Sequence, residues 1–241
     1  MLPYAYRGAE VKKYTTIRPE ARVIYPYRKG EKGSPTLIPE DELRKAYPNI
    51  YQHLCGYKDT LRLRKDSRKF YAKGGHWYRH LRPGSFEYIN PNKFIIKGID
   101  TRTTVGLLEN KTAFNGANCP GIIIENPMDH SPLFILGLLN SKVISYYLRM
   151  VCPAKLGGYT RFNASNVNRV PIRVIDFSDS AEKDTHNKIS DLVEQMLTLS
   201  EKLPKTKSPQ SRTVLQRQIE ITDRKIDELV YELYGLMDEE I

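Results

Sequence analysis

The residues best suited to specific recognition follow a pair of glycines late in the chain. Gly157–Gly158 precede a polar segment that contains Tyr159, Arg161, Asn163 and Asn166. A guanidinium can donate two hydrogen bonds to guanine, and an asparagine amide can pair with adenine in a similar two-point manner. We therefore interpret Arg161 as a candidate guanine contact and Asn163 or Asn166 as a candidate adenine contact. The segment predicts a glycine-hinged loop that displays base-reading side chains.

A second group of candidates is the densest positive run of the chain, between residues 62 and 69. If this run is helical, residues 62, 65 and 69 share one face and residues 64 and 68 lie on its neighbour, which makes a ridge suited to a phosphate backbone. The alternative is a solvated helix face, which is the common fate of a charge run. The candidate phosphate contacts in the run are Arg62, Arg64, Lys65, Arg68 and Lys69.

Two further segments add candidate contacts to nucleic acid. Arg79 and the glycine pair at 74–75, which precedes it, are candidate contact points for nucleic acid. The segment from Lys97 to Arg102 lies just past a predicted strand end, where a loop can reach a ligand. Lys97, Thr101 and Arg102 could bind phosphate or base edges, although such loops are often only turns.

The distribution of charge indicates the class of partner. The chain has 241 residues and a formal net charge of +10. Residues 1–170 contain 28 Lys and Arg against 13 Asp and Glu, a net charge of +15, whereas residues 171–241 contain 10 against 15, a net charge of −5. A merely soluble basic protein predicts no such segregation. The first part of the chain is therefore expected to bind a polyanion, and nucleic acid is favoured.

Other kinds of site have little support in the sequence. The three cysteines are widely spaced and form neither a disulfide framework nor a metal-binding pattern. His76 and His80 could share a metal on a helix, but the glycines at 74–75 disfavour the helix and structural zinc needs four ligands. The acids and lysine of the Pro39–Lys45 segment superficially resemble a nuclease motif, but they fall within one helix start instead of across two strands.

The elements that must position these residues can be read from periodicity. Apolar residues at 135, 138, 139, 143, 146 and 147 predict one buried helix over 133–148, and a short strand is expected at 170–172. Residues 86–126 contain short apolar segments that predict strands, separated by turn signals near 90–92, 110–111, 115–116 and 126–127. We expect Phe162 to anchor the recognition loop in the core.

The last part of the chain predicts a helical hairpin. One apolar series contains residues 189, 192, 196, 199 and 203, a second contains residues 215, 219, 222, 226, 229 and 233, and the Pro204–Pro209 segment must interrupt the helix. The predicted fold class is α+β, a mixed β-sheet domain with packed helices followed by a C-terminal antiparallel, coiled-coil-like hairpin. The predicted domains are residues 1–176 and residues 177–241.

Several motifs in this order resemble the TaqI-like C-terminal specificity domain, which reads the DNA target of adenine-N6 methyltransferases in restriction-modification and related phage-defence systems. The resemblance begins at Tyr6 with the motif that opens the family, which includes Lys12, and it covers nearly the whole chain. It is carried by the segments Tyr6–Gly8, Val11–Tyr14, Val23–Tyr27, Pro48–Leu54, Trp77–Tyr78, Phe94–Ile96, Leu138–Arg149, Arg161–Ile172 and Lys225–Leu236.

The resemblance implies a DNA-binding role for Lys12 and a core position for Trp77. It also implies a catalytic domain, because methylation in this family uses an Asn-Pro-Pro-aromatic motif. The nearest segments here, at 90–92 and 126–128, lack the second proline and the aromatic residue. The glycine-rich turn of an S-adenosylmethionine site is missing as well. We expect this chain to catalyse nothing by itself and to bind no cofactor, with S-adenosylmethionine held by an absent catalytic domain.

The predicted function is the DNA specificity portion of a type II restriction-modification methyltransferase that is bifunctional with a nuclease. Its expected partners are double-stranded DNA and the methyltransferase and nuclease domains of a parent enzyme whose front has been cut away. The alternative is an assembly subunit that docks methylase and nuclease chains, like a type I specificity subunit. Such subunits usually carry two recognition domains, and no internal repeat is found here. No signal peptide or membrane span is expected, which predicts a cytoplasmic location in a prokaryote.

Overall fold

Short strands and helices alternate along the chain, which confirms the predicted α+β class. The structure is a computed structural model, and it describes residues 2–66, 68–70, 76–80, 82–84, 86, 93–108, 113–114, 119–124 and 130–241. The chain divides into two compact units. The first contains Met1–Ala5, Glu20–Asn90 and Thr112–Phe114, and the second contains Tyr6–Pro19, Pro91–Lys111 and Asn115–Ile241. The predicted domain boundary after residue 176 stays a prediction.

The first unit combines small two-stranded sheets with three short helices. Strand β1 (Tyr4–Ala5) pairs in parallel with β9 (Ala113–Phe114), and β2 (Tyr27–Lys29) pairs antiparallel with β3 (Pro35–Leu37). Helices α1 (Glu40–Ala46), α2 (Pro48–Cys55) and α3 (Lys58–Leu63) follow. Trp77 is buried in their core, and its indole Nε1 donates to a carboxylate oxygen of Glu40 at 3.2 Å. The expected core position of Trp77 is therefore confirmed.

The predicted helical ridge over residues 62–69 is wrong. Helix α3 ends at Leu63, and β4 (Lys65–Asp66) and β5 (Lys69–Phe70) form an antiparallel pair directly after it. Arg64 leaves the helix in an extended conformation and its Nε donates to the carbonyl of Leu61 at 3.1 Å. A cation that binds a carbonyl at the C-terminus of a helix satisfies an otherwise unpaired group and stabilises the end of the helix there.

The second unit is built on a three-stranded antiparallel sheet. Its central strand is β6 (Lys93–Ile96), which pairs with β10 (Gly121–Ile122) on one side and β8 (Val105–Leu108) on the other. Every residue of β6 and β8 is buried, as expected for strands covered on both faces. The predicted strand at 86–89 lies outside the described residues except for Phe86, and so do the predicted turn residues around 90–92, 110–111, 115–116 and 126–127.

Five helices cover this sheet and extend from it. They are α4 (Pro132–Asn140), α5 (Lys142–Val151), α6 (Ala164–Val167), α7 (Ser180–Lys202) and α8 (Pro209–Tyr234). Helix α4 lies in the middle of the core and is buried from Phe134 to its last residue. In the part of the chain that the structure describes, no helix combines the length and apolar content needed to cross a bilayer.

The predicted C-terminal hairpin is confirmed as α7 and α8. Asp179 begins α7 by accepting from the N–H of Ala181, and Ser208 begins α8 in the same manner through the N–H of Ser211. Gly235 ends α8 with φ of +67°, a left-handed conformation that favours glycine. The hairpin buries Ile189, Val193, Met196, Leu199, Thr222, Ile226 and Val230.

The predicted single helix over residues 133–148 is instead two helices that meet at Ser141. The hydroxyl of Ser141 accepts from the N–H of Ile144 at 3.3 Å and so begins α5 with a new rotational phase. The buried face of α5 therefore contains Ile144, Ser145 and Leu148. Tyr146, which the continuous period placed inside, is 69 % exposed.

The predicted strand at Val170–Ile172 is also wrong, because this segment pairs with no strand in the described part of the chain. Pro171 has no N–H to donate to a ladder. Its carbonyl accepts from the hydroxyl of Tyr234 at 2.7 Å, while Val170 and Ile172 pack against the core. The segment is held by α8 and the core.

Asn140 closes the outer edge of β8. Its side-chain Oδ1 accepts from the N–H of Val105 at 2.9 Å, and its Nδ2 donates to the carbonyl of Val105 at 3.0 Å and to that of Leu136 at 3.1 Å. One buried amide thus binds both backbone groups of an edge-strand residue. Buried backbone groups need such partners because leaving them unpaired is costly.

Replacing Asn140 with alanine is expected to destabilise the second unit. The substitution leaves the N–H of Val105 without this acceptor in a buried site, which lowers the free energy of unfolding by about 2–4 kcal/mol. Urea unfolding measures the effect. Asn168→Ala is the matched control, because Asn168 is exposed and surface substitutions stay within about 0.5 kcal/mol. Equal stabilities of the two variants would contradict the proposed edge closure.

Gly137 allows α4 to approach the hairpin closely. A Cβ at this position would lie 2.8 Å from Cγ2 of Ile189 and 3.1 Å from Cγ2 of Val193. Gly137→Ala is expected to lower the free energy of unfolding by about 1–2 kcal/mol, because overpacking outweighs the better helix propensity of alanine.

Gly56→Ala provides the control for this substitution. Gly56 has φ of −60°, and its added Cβ would be in ordinary contact at 3.4 Å. We expect this variant to be unchanged or stabilised by up to about 1 kcal/mol. A Gly137→Ala variant as stable as the wild type in thermal unfolding would show that α4 does not need the close approach.

Candidate nucleic-acid interface

Two of the predicted recognition loops are neighbours in the structure. Strand β7 (Ile99–Asp100) pairs antiparallel with β11 (Thr160–Arg161), with Thr160 opposite Asp100 and Arg161 opposite Ile99. The N–H of Phe162 continues the pairing by donating to the carbonyl of Gly98 at 2.9 Å. The loop at 97–103 and the loop at 157–166 are therefore fixed against each other, although about sixty residues separate them in sequence.

Asp100 organises the first of these loops. Its carboxylate accepts from Nζ of Lys97 at 2.9 Å, from the N–H of Thr101 at 2.8 Å and from Oγ1 of Thr104 at 3.0 Å. Burial alone would raise the pKa of Asp100, but the bonds from Lys97, Thr101 and Thr104 together hold its pKa below the ordinary value. The positive charge of Lys97 is thus paired locally, and Lys97 helps to shape the loop.

The tip of this loop is exposed and its far end is buried. Thr101 and Arg102 are exposed, which places them where a large ligand can reach. Thr103 is buried, and its N–H donates to the hydroxyl of Ser145 on α5 at 3.1 Å. The phase of α5, set by the break at Ser141, therefore determines where the loop is held.

The second loop is a narrow hairpin. The N–H of Arg161 donates to the carbonyl of Pro153 at 2.9 Å, and the N–H of Lys155 donates to the carbonyl of Tyr159 at 2.7 Å. Gly157 and Gly158 both have φ of +76°, which only glycine adopts readily. The predicted glycine hinge is thus a tight turn that closes a short antiparallel ladder.

Side chains alternate between the core and solvent along the returning strand. Thr160 is 3 % exposed and Phe162 is 2 % exposed, whereas Arg161 is exposed and Tyr159 is 45 % exposed. This is the period of two expected for a strand with one buried face. Phe162 is the predicted core anchor, and its burial holds the strand in register.

Asn163 and Asn166 have clear structural contacts. The Oδ1 of Asn163 accepts from the N–H of Asn166 at 3.0 Å and from Oγ of Ser165 at 2.6 Å, which caps the short helix α6. The Nδ2 of Asn166 donates to the carbonyl of Val151 at 2.6 Å. These amides stabilise the end of the loop, and the adenine contact that we expect from one of them stays a prediction.

Lys12 is exposed in the amino-terminal motif of the second unit. Its neighbour Lys13 has a different environment, because Nζ of Lys13 lies 2.6 Å from the carboxylate of Asp223 on α8. Burial lowers the pKa of Lys13, and the contact with Asp223 opposes that effect. Of the two lysines, Lys13 attaches the motif to the hairpin and Lys12 faces solvent.

The remaining candidates belong to the first unit. Arg62, Lys65 and Arg68 are exposed, while Arg64 and Arg79 are half-buried. Besides ending α3, Arg64 donates from a terminal guanidinium nitrogen to the carbonyl of Arg79 at 3.1 Å. Lys69 contributes its backbone to β5. The exposed cations lie on α3 (Arg62), in β4 (Lys65) and just before β5 (Arg68) instead of on one helix face. The glycines at 74–75 lie outside the described residues.

Sequence reasoning missed three residues that shape or extend this interface. Ser145 acts through a hydrogen bond from the N–H of Thr103, which is distant in sequence, so no local pattern gives a signal for it. The partners of Asp100 are Lys97, Thr101 and Thr104, all within four residues, and an aspartate next to a threonine in a turn was a local signal for its role. Leu156 is 97 % exposed at the tip of the hairpin. An apolar residue directly before two glycines in a polar loop was a signal that could have identified it.

A metal site needs several ligating side chains close together. The described residues contain no group of three or more His, Cys, Asp and Glu side chains able to hold a metal. His80 is not on a helix, and its Nε2 lies 3.0 Å from the carbonyl of Ile24. Gly157 and Gly158 lie at an exposed hairpin tip, and the expectation that S-adenosylmethionine is held outside this chain stays a prediction.

Comparisons with known proteins identify the family of the chain. The profile of the TaqI-like C-terminal specificity domain matches residues 4–172. The type II restriction enzyme and methyltransferase RM.Eco57I of Escherichia coli is 28 % identical over 231 residues, which are 93 % of this chain and 23 % of that protein. The chain thus spans about a quarter of the length of this relative. Because the profile matches more than half of the chain, the chain belongs to the TaqI-like C-terminal specificity domain family.

Proposed function

We propose that this chain reads the DNA sequence for a restriction-modification adenine-N6 methyltransferase that also carries a nuclease. The observation that carries the proposal is the pairing of β7 with β11, which brings the exposed Arg102 and the exposed Arg161 into adjacent loops. Cationic side chains neutralise phosphates and set the register, whereas Arg and Asn side chains distinguish bases. The excess of positive charge in residues 1–170 supports the same partner, double-stranded DNA.

The catalytic steps belong, in this proposal, to domains outside the chain. The relative named as both a restriction enzyme and a methyltransferase is about four times as long as the matched region. Those domains would hold S-adenosylmethionine and the flipped adenine, while this chain holds the duplex against them. A non-catalytic role for the isolated chain and a cytoplasmic location in a prokaryote are parts of the proposal.

The assembly-subunit alternative remains the weaker one. It relies on the helical hairpin as a docking arm for other chains. In the structure the inner side of the hairpin packs on α4, where Gly137 meets Ile189 and Val193. The hairpin is therefore part of the core of the second unit, which fits a structural role better than that of a free arm.

Equilibrium binding to a pool of random-sequence duplexes tests the proposed function. The whole chain is incubated with the pool at about 50 and 200 mM salt, and the bound DNA is sequenced. We expect an enriched motif and an affinity that falls steeply with salt, because phosphate contacts release counterions. Salt-dependent binding without enrichment would restrict the isolated chain to backbone binding. No binding at the lower salt concentration would reject the DNA-reader assignment.

Arg161→Ala is expected to relax the preference at one base pair of the enriched motif. The loss of a two-point contact with guanine reduces discrimination at that position by about 1–3 kcal/mol. Competition binding with single-base variants of the motif measures it. Arg217→Ala is the control, because Arg217 is exposed on α8 and lies outside the candidate loops. An equal loss of affinity on every sequence would make Arg161 a phosphate contact instead.

A further inference from the structure

Leu156 occupies an unusual position for an apolar side chain. It is 97 % exposed, more than any other large hydrophobic residue among those the structure describes. Single exposed apolar residues are common on protein surfaces and need no explanation by themselves. Leu156 differs from such residues in its surroundings, because it lies on a hairpin held by backbone hydrogen bonds and has cationic side chains nearby.

The hairpin holds Leu156 away from the body of the second unit. Below the tip, the N–H of Lys155 donates to the carbonyl of Tyr159, and Ala154 forms a bridge with Thr160. The left-handed glycines at 157 and 158 close the turn directly after Leu156. A Cβ added at Gly158 would meet nothing within 4 Å, so the tip projects into open space.

The base of the hairpin resists displacement. Thr160 and Phe162 are buried, and β11 is paired with β7 on its other side. A force on the tip is therefore opposed by backbone hydrogen bonds and by core packing. A rigid support is what an inserting side chain needs, because a flexible loop would fold back before it could separate stacked groups.

The charges next to the tip fit a polyanion. Lys155 and Arg161 are exposed on the two strands of the hairpin, and Arg102 is exposed on the adjacent loop. Tyr159, at 45 % exposure, adds an aromatic ring beside them. An apolar tip flanked by phosphate-binding cations matches the chemistry of a stacked, negatively charged duplex.

We propose that Leu156 is a wedge that inserts between adjacent base pairs of bound duplex DNA and opens the stack there. Apolar side chains inserted at a base step unstack it partially, and the energy needed is recovered through the contacts that the deformed DNA permits. The proposal rests on the proposed DNA-binding function and adds a mechanical role to sequence reading. An unstacked step also lowers the barrier to extruding a neighbouring base.

Permanganate oxidation of thymines and binding to duplexes with an abasic site test the wedge. The duplex is the motif enriched from the random pool, prepared either fully paired or with one abasic site at each position in turn. Wild-type protein is expected to increase permanganate reactivity at one step and to bind one abasic duplex about tenfold more tightly than the paired duplex, because the stack there is already open.

Leu156→Ala and Leu156→Asn are expected to lose both signals while keeping the salt dependence of binding. The asparagine variant retains much of the size of leucine without its apolar surface, and neither variant should disturb folding because the side chain is exposed. Val214→Ala is the matched control, since Val214 is 54 % exposed on α8.

The outcomes separate the wedge from the proposed function. One contrary result is that the wild type binds DNA without a permanganate signal and without a preference for an abasic duplex. Another is that the Leu156 variants retain both signals. Either result overturns the wedge and leaves the DNA-reader assignment in place. If the wild type binds no duplex at low salt, both proposals fail.

Discussion

The second unit depends on how the outer edge of β8, the side that does not pair with β6, is covered. An edge strand presents unpaired N–H and carbonyl groups, and in a buried position each needs a partner. Here the amino-terminal segment supplies part of the cover, since the N–H of Leu107 donates to Thr15 and the N–H of Ile17 donates to Leu107. At Val105 the N–H of Tyr14 donates to the carbonyl, and the amide of Asn140 binds both the N–H and the carbonyl. The amino-terminal motif therefore belongs to this unit, and the end of α4 is fixed by the same strand.

The fixed end of α4 determines the geometry of the interface. Because the chain breaks at Ser141, α5 presents Ser145 to the N–H of Thr103 instead of presenting Tyr146 to the core. Asp227 of α8 supports the break by accepting from the N–H of Lys142 at 2.9 Å. Burial raises the pKa of this carboxyl, and the bond from Lys142 opposes the effect. A buried charge of this kind adds little net stability but fixes one arrangement over others.

The sequence predicts the bounds of helices well where apolar periodicity and capping residues determine them. It predicts them poorly where contacts with residues distant in sequence determine where a helix begins or ends. The hairpin, its interruption at 204–209 and its end at Gly235 follow from local patterns. The break at Ser141 does not follow from the apolar period, because Ser141 caps a new helix and Asp227, far along the chain, accepts from the N–H of Lys142. The prediction of a helical ridge over residues 62–69 was also wrong, because the guanidinium of Arg64 binds backbone carbonyls where the chain leaves α3. In the candidate site, Phe162 was predicted correctly, whereas Ser145 could be found only from its contact with Thr103, forty-two residues earlier in the chain.

In the hairpin at residues 153–161, the residues that attach it to the second unit are different from those that can be substituted without loss of folding. Its buried residues, together with the pairing to β7, provide the attachment, whereas Lys155, Leu156 and Tyr159 contact mainly solvent. Substitutions at these outward positions leave the core untouched, so the tip can diversify without loss of folding. If the chain reads DNA as proposed, the residues that attach the hairpin are separate from those that would contact the target. A short cassette of a few residues, exchanged between related chains, would be the natural unit for acquiring or engineering a new target preference.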